Sequence, residues 1–148
     1  LTDIQAALGI SQSRKLHKFL RKRSEIAAMY QQAFRDFELA DTLLVPNDRT
    51  SAWHLFPLLL KLDKLRVSRK IIVEELHKRN IFVQVHYIPI HLHPFYKRQF
   101  GYKKGDYLES ENFYEREISL PLYPTLGKEN LKYVIKSMKD MLQSYSIV

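Results

Sequence analysis

From Leu16 onward apolar side chains recur at three- and four-residue steps, through Phe19, Leu20, Ile26, Ala27, Tyr30, Phe34 and Phe37. That spacing gathers them on one helical face while Lys15, Lys18, Lys22 and Glu25 fall on the other, so a long amphipathic helix over residues 15–38 is predicted. Arg23 is the one polar member of the apolar stripe. Upstream, "LTDIQAALG" sets Ile4, Ala7 and Leu8 on one face of a short helix capped at Thr2 or Asp3, with Gly9 a candidate break or bend.

After "PNDRTSA" the run "WHLFPLLL" (53–60) is apolar on both faces, the pattern of a buried strand, although Pro57 counts against a fully paired central position. His54 on such a strand reads as a satisfied core histidine. A helix from a cap at Ser68 to a left-handed stop at Asn80 turns Ile71, Ile72 and Leu76 inward. Residues 81–88 then alternate, placing Ile81, Val83, Val85 and Tyr87 on one face of a strand and Phe82, Gln84, His86 and Ile88 on the other. Pro89 ends this strand and opens a long loop that closes at Asp106, a candidate helix cap with Glu109 in the capping-box position. "YLESENFYERE" reads as a helix, "ISLPL" as a short strand, and Leu131, Val134, Ile135, Met138, Met141, Leu142 and Tyr145 as one face of a closing helix.

A chain of 148 residues with 45% apolar and 27% charged content is of ordinary globular composition and fits a single α/β domain. The formal charge of +8 raises the prospect of an anionic partner, which charge alone does not choose among nucleic acid, membrane surface and phosphorylated small molecule. The absence of cysteine removes disulfides, thiolate metal sites and a cysteine nucleophile, and fits a reducing compartment. The apolar runs are too short to span a bilayer, and neither a signal peptide nor a membrane partner is expected. Leu1 enters a helical pattern directly, as the middle of a longer protein would.

"VQVHYIPIHLHPFY" (83–96) concentrates three of the six histidines. His86, His91 and His93 could meet a metal, but no carboxylate or cysteine spacing completes a shell, and no metal site is expected. The basic runs "HKFLRKR" and "KLDKLRVSRK" could track a phosphate backbone, yet Phe19 and Leu20 lie on the inward stripe of the first, which makes its charges the solvated side of a helix. His17 and His77, on basic helices, read as solvated. There is no nucleophile elbow and no phosphate-cradling glycine loop, and only four glycines in all, so a self-contained hydrolase or nucleotide transferase is hard to build. A pocket wall is the better reading: Gln84 and His86 at a strand end, beside aromatics from Tyr96 to Tyr114, offer hydrogen bonds and stacking to a polar ligand.

Five ordered blocks, "LTDIQAALG" (1–9), "WHLFPLLL" (53–60), "VQVHYIPIHLHPFY" (83–96), "GDYLESENFYEREISLPLYPTL" (105–126) and the helix after them, resemble the C-terminal part of the DegT/DnrJ/StrS sugar aminotransferases from end to end. Within that family the chain most resembles the branch that aminates C4 of a UDP-linked 4-keto-6-deoxy-N-acetylhexosamine in pseudaminic acid biosynthesis, through "QVHY-x-P" and the histidine- and tyrosine-rich loop after it. The resemblance implies that residues 1–148 are the small C-terminal α/β (α+β) domain of a fold-type I aminotransferase, a short few-stranded sheet covered by helices, with a long helix near its start. It implies a cytoplasmic homodimer that moves an amino group from L-glutamate through pyridoxal phosphate onto a UDP-sugar. Gln84, Val85, His86 and Tyr87 match the segment that contacts the nucleotide sugar.

The family's Schiff-base lysine, its ring-nitrogen carboxylate and its phosphate-binding residues lie in an N-terminal domain absent from this chain, which begins just past the family's Asn-Tyr-Arg. No catalytic residue, bound cofactor or isolated activity is therefore expected here. Two readings of other classes compete: a non-catalytic binding or regulatory module derived from this domain, and a basic nucleic-acid-binding domain.

Overall fold

The computed structural model describes residues 1–147, and within them six α-helices flank a three-stranded antiparallel sheet. The order is α1 (Asp3–Ser13), α2 (Leu16–Phe34), β1 (Ala40–Thr42), β2 (Phe56–Leu60), α3 (Arg69–Lys78), α4 (Pro94–Phe100), α5 (Leu108–Arg116), β3 (Glu117–Leu120) and α6 (Lys128–Ser144). The small α/β character expected from the sequence is the observed one.

β2 is the middle strand. Its alternate residues Phe56, Leu58 and Leu60 are buried in one core with Ile26, Tyr30 and Phe34 of α2, Ile72 and Leu76 of α3, and Leu131, Met138 and Leu142 of α6. Pro57 is tolerated in a central strand for a geometric reason. It stands opposite Ser119, whose own N–H and C=O both bond Gln84 on the far side of β3, so Pro57 faces away from β3 toward β1. β1 has already ended there, since its last pair is Thr42 with Leu58. The missing N–H therefore interrupts no ladder.

The helices carry several departures from the sequence pattern. Thr2 and Gln5 close a capping box and α1 runs straight through Gly9, but none of its residues is buried. α2 stops at Phe34, where the Phe34 and Phe37 rings pack edge to face and the chain turns toward β1. Arg23 sits on the apolar stripe because its guanidinium Nη1 donates to the carbonyls of Trp53 (3.0 Å), His54 (3.0 Å) and Leu122 (3.3 Å). Trp53 takes a positive φ of 48°, which ends the predicted strand at Phe56 and leaves His54 exposed rather than in the core. In α3, Ile72 and Leu76 are buried but Ile71 is exposed, and Asn80 supplies the expected left-handed stop at φ 57°. Ser68 occupies the N-cap position without a side-chain bond.

The predicted strand over 81–88 does not form. Ile81 and Val83 are buried and Phe82 and Gln84 exposed, as alternation requires, but the ladder against β3 has one rung, Gln84 with Ser119. The next rung in one direction would face Pro121, which has no N–H. In the other direction the N–H of His86 is taken by the side chain of Glu117 at 2.8 Å instead of a main-chain carbonyl. The alternation that set Gln84 and His86 on one face therefore lapses after Gln84.

Candidate functional site

β3 builds the site. Its period-two pleat sends Ile118 and Leu120 into the core and Glu117 and Ser119 to the opposite side, where all four side chains are nonetheless buried. The Ser119 hydroxyl donates to one oxygen of Glu117, and the other oxygen accepts the N–H of His86. Ser119 spends its single proton on the carboxylate, so its oxygen accepts from His86 Nδ1–H at 2.9 Å. This assigns the imidazole tautomer. Nδ1 carries a proton toward Ser119, and Nε2 has no protein partner among the described residues.

The four residues singled out from the sequence are consecutive on this edge. Gln84 is exposed and bridges to Ser119 through its main chain; Val85 and His86 are half-buried; Tyr87 is 72% exposed, with its ring edge-on to His86 at 4.6 Å. Tyr87 is thus no core residue, whereas Val85 lines a groove beside α3 with Arg69, Val73 and His77. Glu117 and Ser119 were not recognised in the sequence. Their signal was the alternation of "EISL", which puts two polar groups on one face of an otherwise apolar strand.

His91 and His93 go elsewhere. His91 is buried and its Nε2 meets the equally buried Glu111 at 2.7 Å, while His93 Nε2 lies 3.2 Å from the carbonyl of Ile88. With His86 committed to Ser119, the three imidazoles do not converge, and no group of three His, Asp or Glu side chains suited to a metal forms among the described residues. Glu111 also accepts the N–H of Gly105 at 2.8 Å and, more loosely, that of Tyr107 at 3.5 Å. It thereby does what Asp106 and Glu109 were expected to do. The cap of α5 is Tyr107, and the Asp106 carboxylate instead accepts the N–H of Lys103. Burial acts most strongly on the Glu111 carboxyl and pushes its pKa up, but the hydrogen bonds from His91, Gly105 and Tyr107 outweigh it and hold the group below its ordinary value of 4.5.

The long loop is also more ordered than its composition suggests. Pro94 opens α4 at its first turn and Gly101, at φ 73°, closes it. That pairing of an N-terminal proline with a C-terminal glycine is a helix signature.

Pyridoxal phosphate makes definite demands on the residues around it. It needs a desolvated lysine beside a carboxylate for the ring nitrogen and a cradle for its phosphate. No lysine among the described residues is buried. Lys78, Lys104 and Lys136 make solvated surface pairs with carboxylates, and Lys61 beside Asp41 is only partly buried. This chain's residues do not fit the cofactor.

The sheet order, the helical cover and this edge make up a small α/β domain. The chain belongs to the DegT/DnrJ/EryC1/StrS aminotransferase family, whose model matches residues 1–139. It is 39% identical over 142 residues to the spore coat polysaccharide biosynthesis protein SpsC of Bacillus subtilis, covering 95% of this chain and 36% of that protein. It is 35% identical over 147 residues to the UDP-4-amino-4,6-dideoxy-N-acetyl-beta-L-altrosamine transaminase of Helicobacter pylori, covering 99% and 38%. The solved structure of Helicobacter pylori PseC, an aminotransferase of pseudaminic acid biosynthesis, superposes with a TM-score of 0.89 at 34% identity, over 98% of this chain and 38% of that one. The chain thus spans less than two-fifths of the length of these relatives.

Proposed function

We propose that residues 1–148 form the single substrate-closing C-terminal domain of a pyridoxal-phosphate enzyme that transfers an amino group from L-glutamate to C4 of a UDP-linked 4-keto-6-deoxy sugar. The enzyme works as a homodimer in the cytoplasm, and among the described residues no helix is long and apolar enough to cross a membrane. In this reading the cofactor and its lysine belong to the family's N-terminal domain, and this chain orients the sugar nucleotide through Gln84, Val85, His86 and Tyr87.

One observation carries the reading. A buried carboxylate, Glu117, acts through Ser119 and through a main-chain N–H to hold His86 in one tautomer, with Nε2 left to accept a hydrogen bond from a ligand hydroxyl. Such an arrangement places a ligand; it supplies no nucleophile.

The test uses the enzyme completed with its cofactor domain. His86→Ala and Gln84→Ala are expected to leave the glutamate half-reaction nearly intact and to lower kcat/KM for the keto sugar by roughly tenfold to a hundredfold, the worth of one good hydrogen bond to a polar group. Stopped-flow measurement of the two half-reactions separates the outcomes. Equal damage to the glutamate step would place these residues at the cofactor, and no damage to either would remove the assignment.

A further inference from the structure

Apart from that edge, the segment from Pro89 to the start of α5 folds a run of rings onto itself. His91 contacts Tyr107 (centroids 4.8 Å apart), Tyr107 contacts Tyr102 (5.6 Å), Tyr102 contacts Phe100 (5.8 Å) and Phe100 stacks on Tyr96 (6.0 Å). The arc lines an open pocket of about 430 Å³. None of its four tyrosine and phenylalanine rings belongs to the hydrophobic core, and Phe100 and Tyr107 are about half exposed, so packing the loop onto the fold does not account for them.

The cavity wall also carries a polar group, the imidazole of His91. His91 is 6% exposed and gives its Nε2–H to Glu111. Its Nδ1 has no protein partner, yet no buried side-chain nitrogen or oxygen is left unsatisfied among the described residues; Nδ1 is therefore accessible, on a residue that lines the cavity. In the neutral ring that nitrogen is an acceptor.

Flat apolar walls bordered by one accessible acceptor suit a planar ring that has an in-plane N–H donor. We propose that this cavity is the nucleobase subsite, in which the pyrimidine ring of a uridine diphosphate stacks within the Tyr96–Phe100–Tyr102–Tyr107 arc and donates its N3–H to His91 Nδ1. The proposal rests on the reading of the substrate as a UDP-sugar and adds where its base is read. Glu111 is then a positioning residue, acting through the tautomer of His91.

Isothermal titration of the complete protein with UDP and with N3-methyl-UDP tests it. Phe100→Leu and Tyr102→Leu, both at partly exposed positions, are each expected to raise the Kd for UDP about tenfold, as loss of one stacking partner does. N3-methylation should cost roughly as much. Phe82→Leu, at an exposed position outside the cavity wall and the arc, should change the Kd less than about twofold. UDP affinity untouched by Phe100→Leu and Tyr102→Leu overturns the subsite, as does amination of a UDP-sugar by a protein that does not bind UDP. A shifted sedimentation coefficient in Phe100→Leu with UDP affinity intact also overturns it, making the arc a protein interface. UDP binding with the expected dependences but no amino transfer to any UDP-linked keto sugar upholds the subsite and removes the assigned reaction instead.

Discussion

At the scale of single residues, the site depends on acidic groups with little access to water. Of Glu117 the Arg69 guanidinium reaches only the main-chain carbonyl, at 3.3 Å; the side-chain oxygens are occupied by a hydroxyl and a main-chain N–H, both of which converge on the His86 segment. Glu111 is the titratable counterpart on the loop. Its pKa is lowered in the folded state, so its stabilising contribution is complete above the ordinary carboxylate value of 4.5 and is lost as the pH falls through the lowered folded value. The unfolding free energy is therefore expected to fall between pH 6 and pH 3, and Glu111→Gln should flatten part of that slope. Urea titrations of both proteins at the two pH values measure the difference; parallel slopes would remove Glu111 from the acid response.

Between elements, a few polar groups decide how loops meet helices. Arg23 ties α2 to the segment before β2 and to the carbonyl two residues past β3, a link no apolar residue at that helix position could make. Arg23→Ala leaves these carbonyls without their donor, and a loss of about 1–3 kcal/mol in unfolding free energy is expected. Lysine at the same place should recover only part, since an ammonium cannot reproduce the planar fork. Chemical denaturation of both variants checks this, and an unchanged midpoint for Arg23→Ala would show the contact to be solvated.

For the whole molecule, the most telling feature is α1. Ile4 is 82% and Leu8 61% exposed, and no residue of the helix is buried, although its capping box and apolar face mark it as an element that packs. In the proposed assembly that face lies against the rest of the enzyme, so the isolated chain is expected to self-associate into dimers or larger species. The double variant Ile4→Glu, Leu8→Glu should shift sedimentation toward monomer while changing unfolding free energy by less than about 0.5 kcal/mol. A compact monomer of the unaltered chain at high concentration would contradict this.

Periodicity and turn chemistry sufficed for much of the fold. The faces of α2 and α6, the Asn80 stop, the helix after Tyr107 and the small α/β character were all legible in the sequence, because each depends on which residues recur along a few turns. The family was legible too, through five blocks in order. What depended on a neighbour in space was not. The segment 81–88 has the alternation of a strand, but the length of its ladder is set by Pro121 and the Glu117 side chain on another element. The central position of Pro57 is permitted by where β1 stops. Arg23 finds its acceptors as many as 99 residues away. The partners of His86 and His91 likewise lie 33 and 20 residues along the chain. Local spacing determines which face of an element is apolar; hydrogen-bond partners brought together by folding determine which polar group is held, in which tautomer, and facing what.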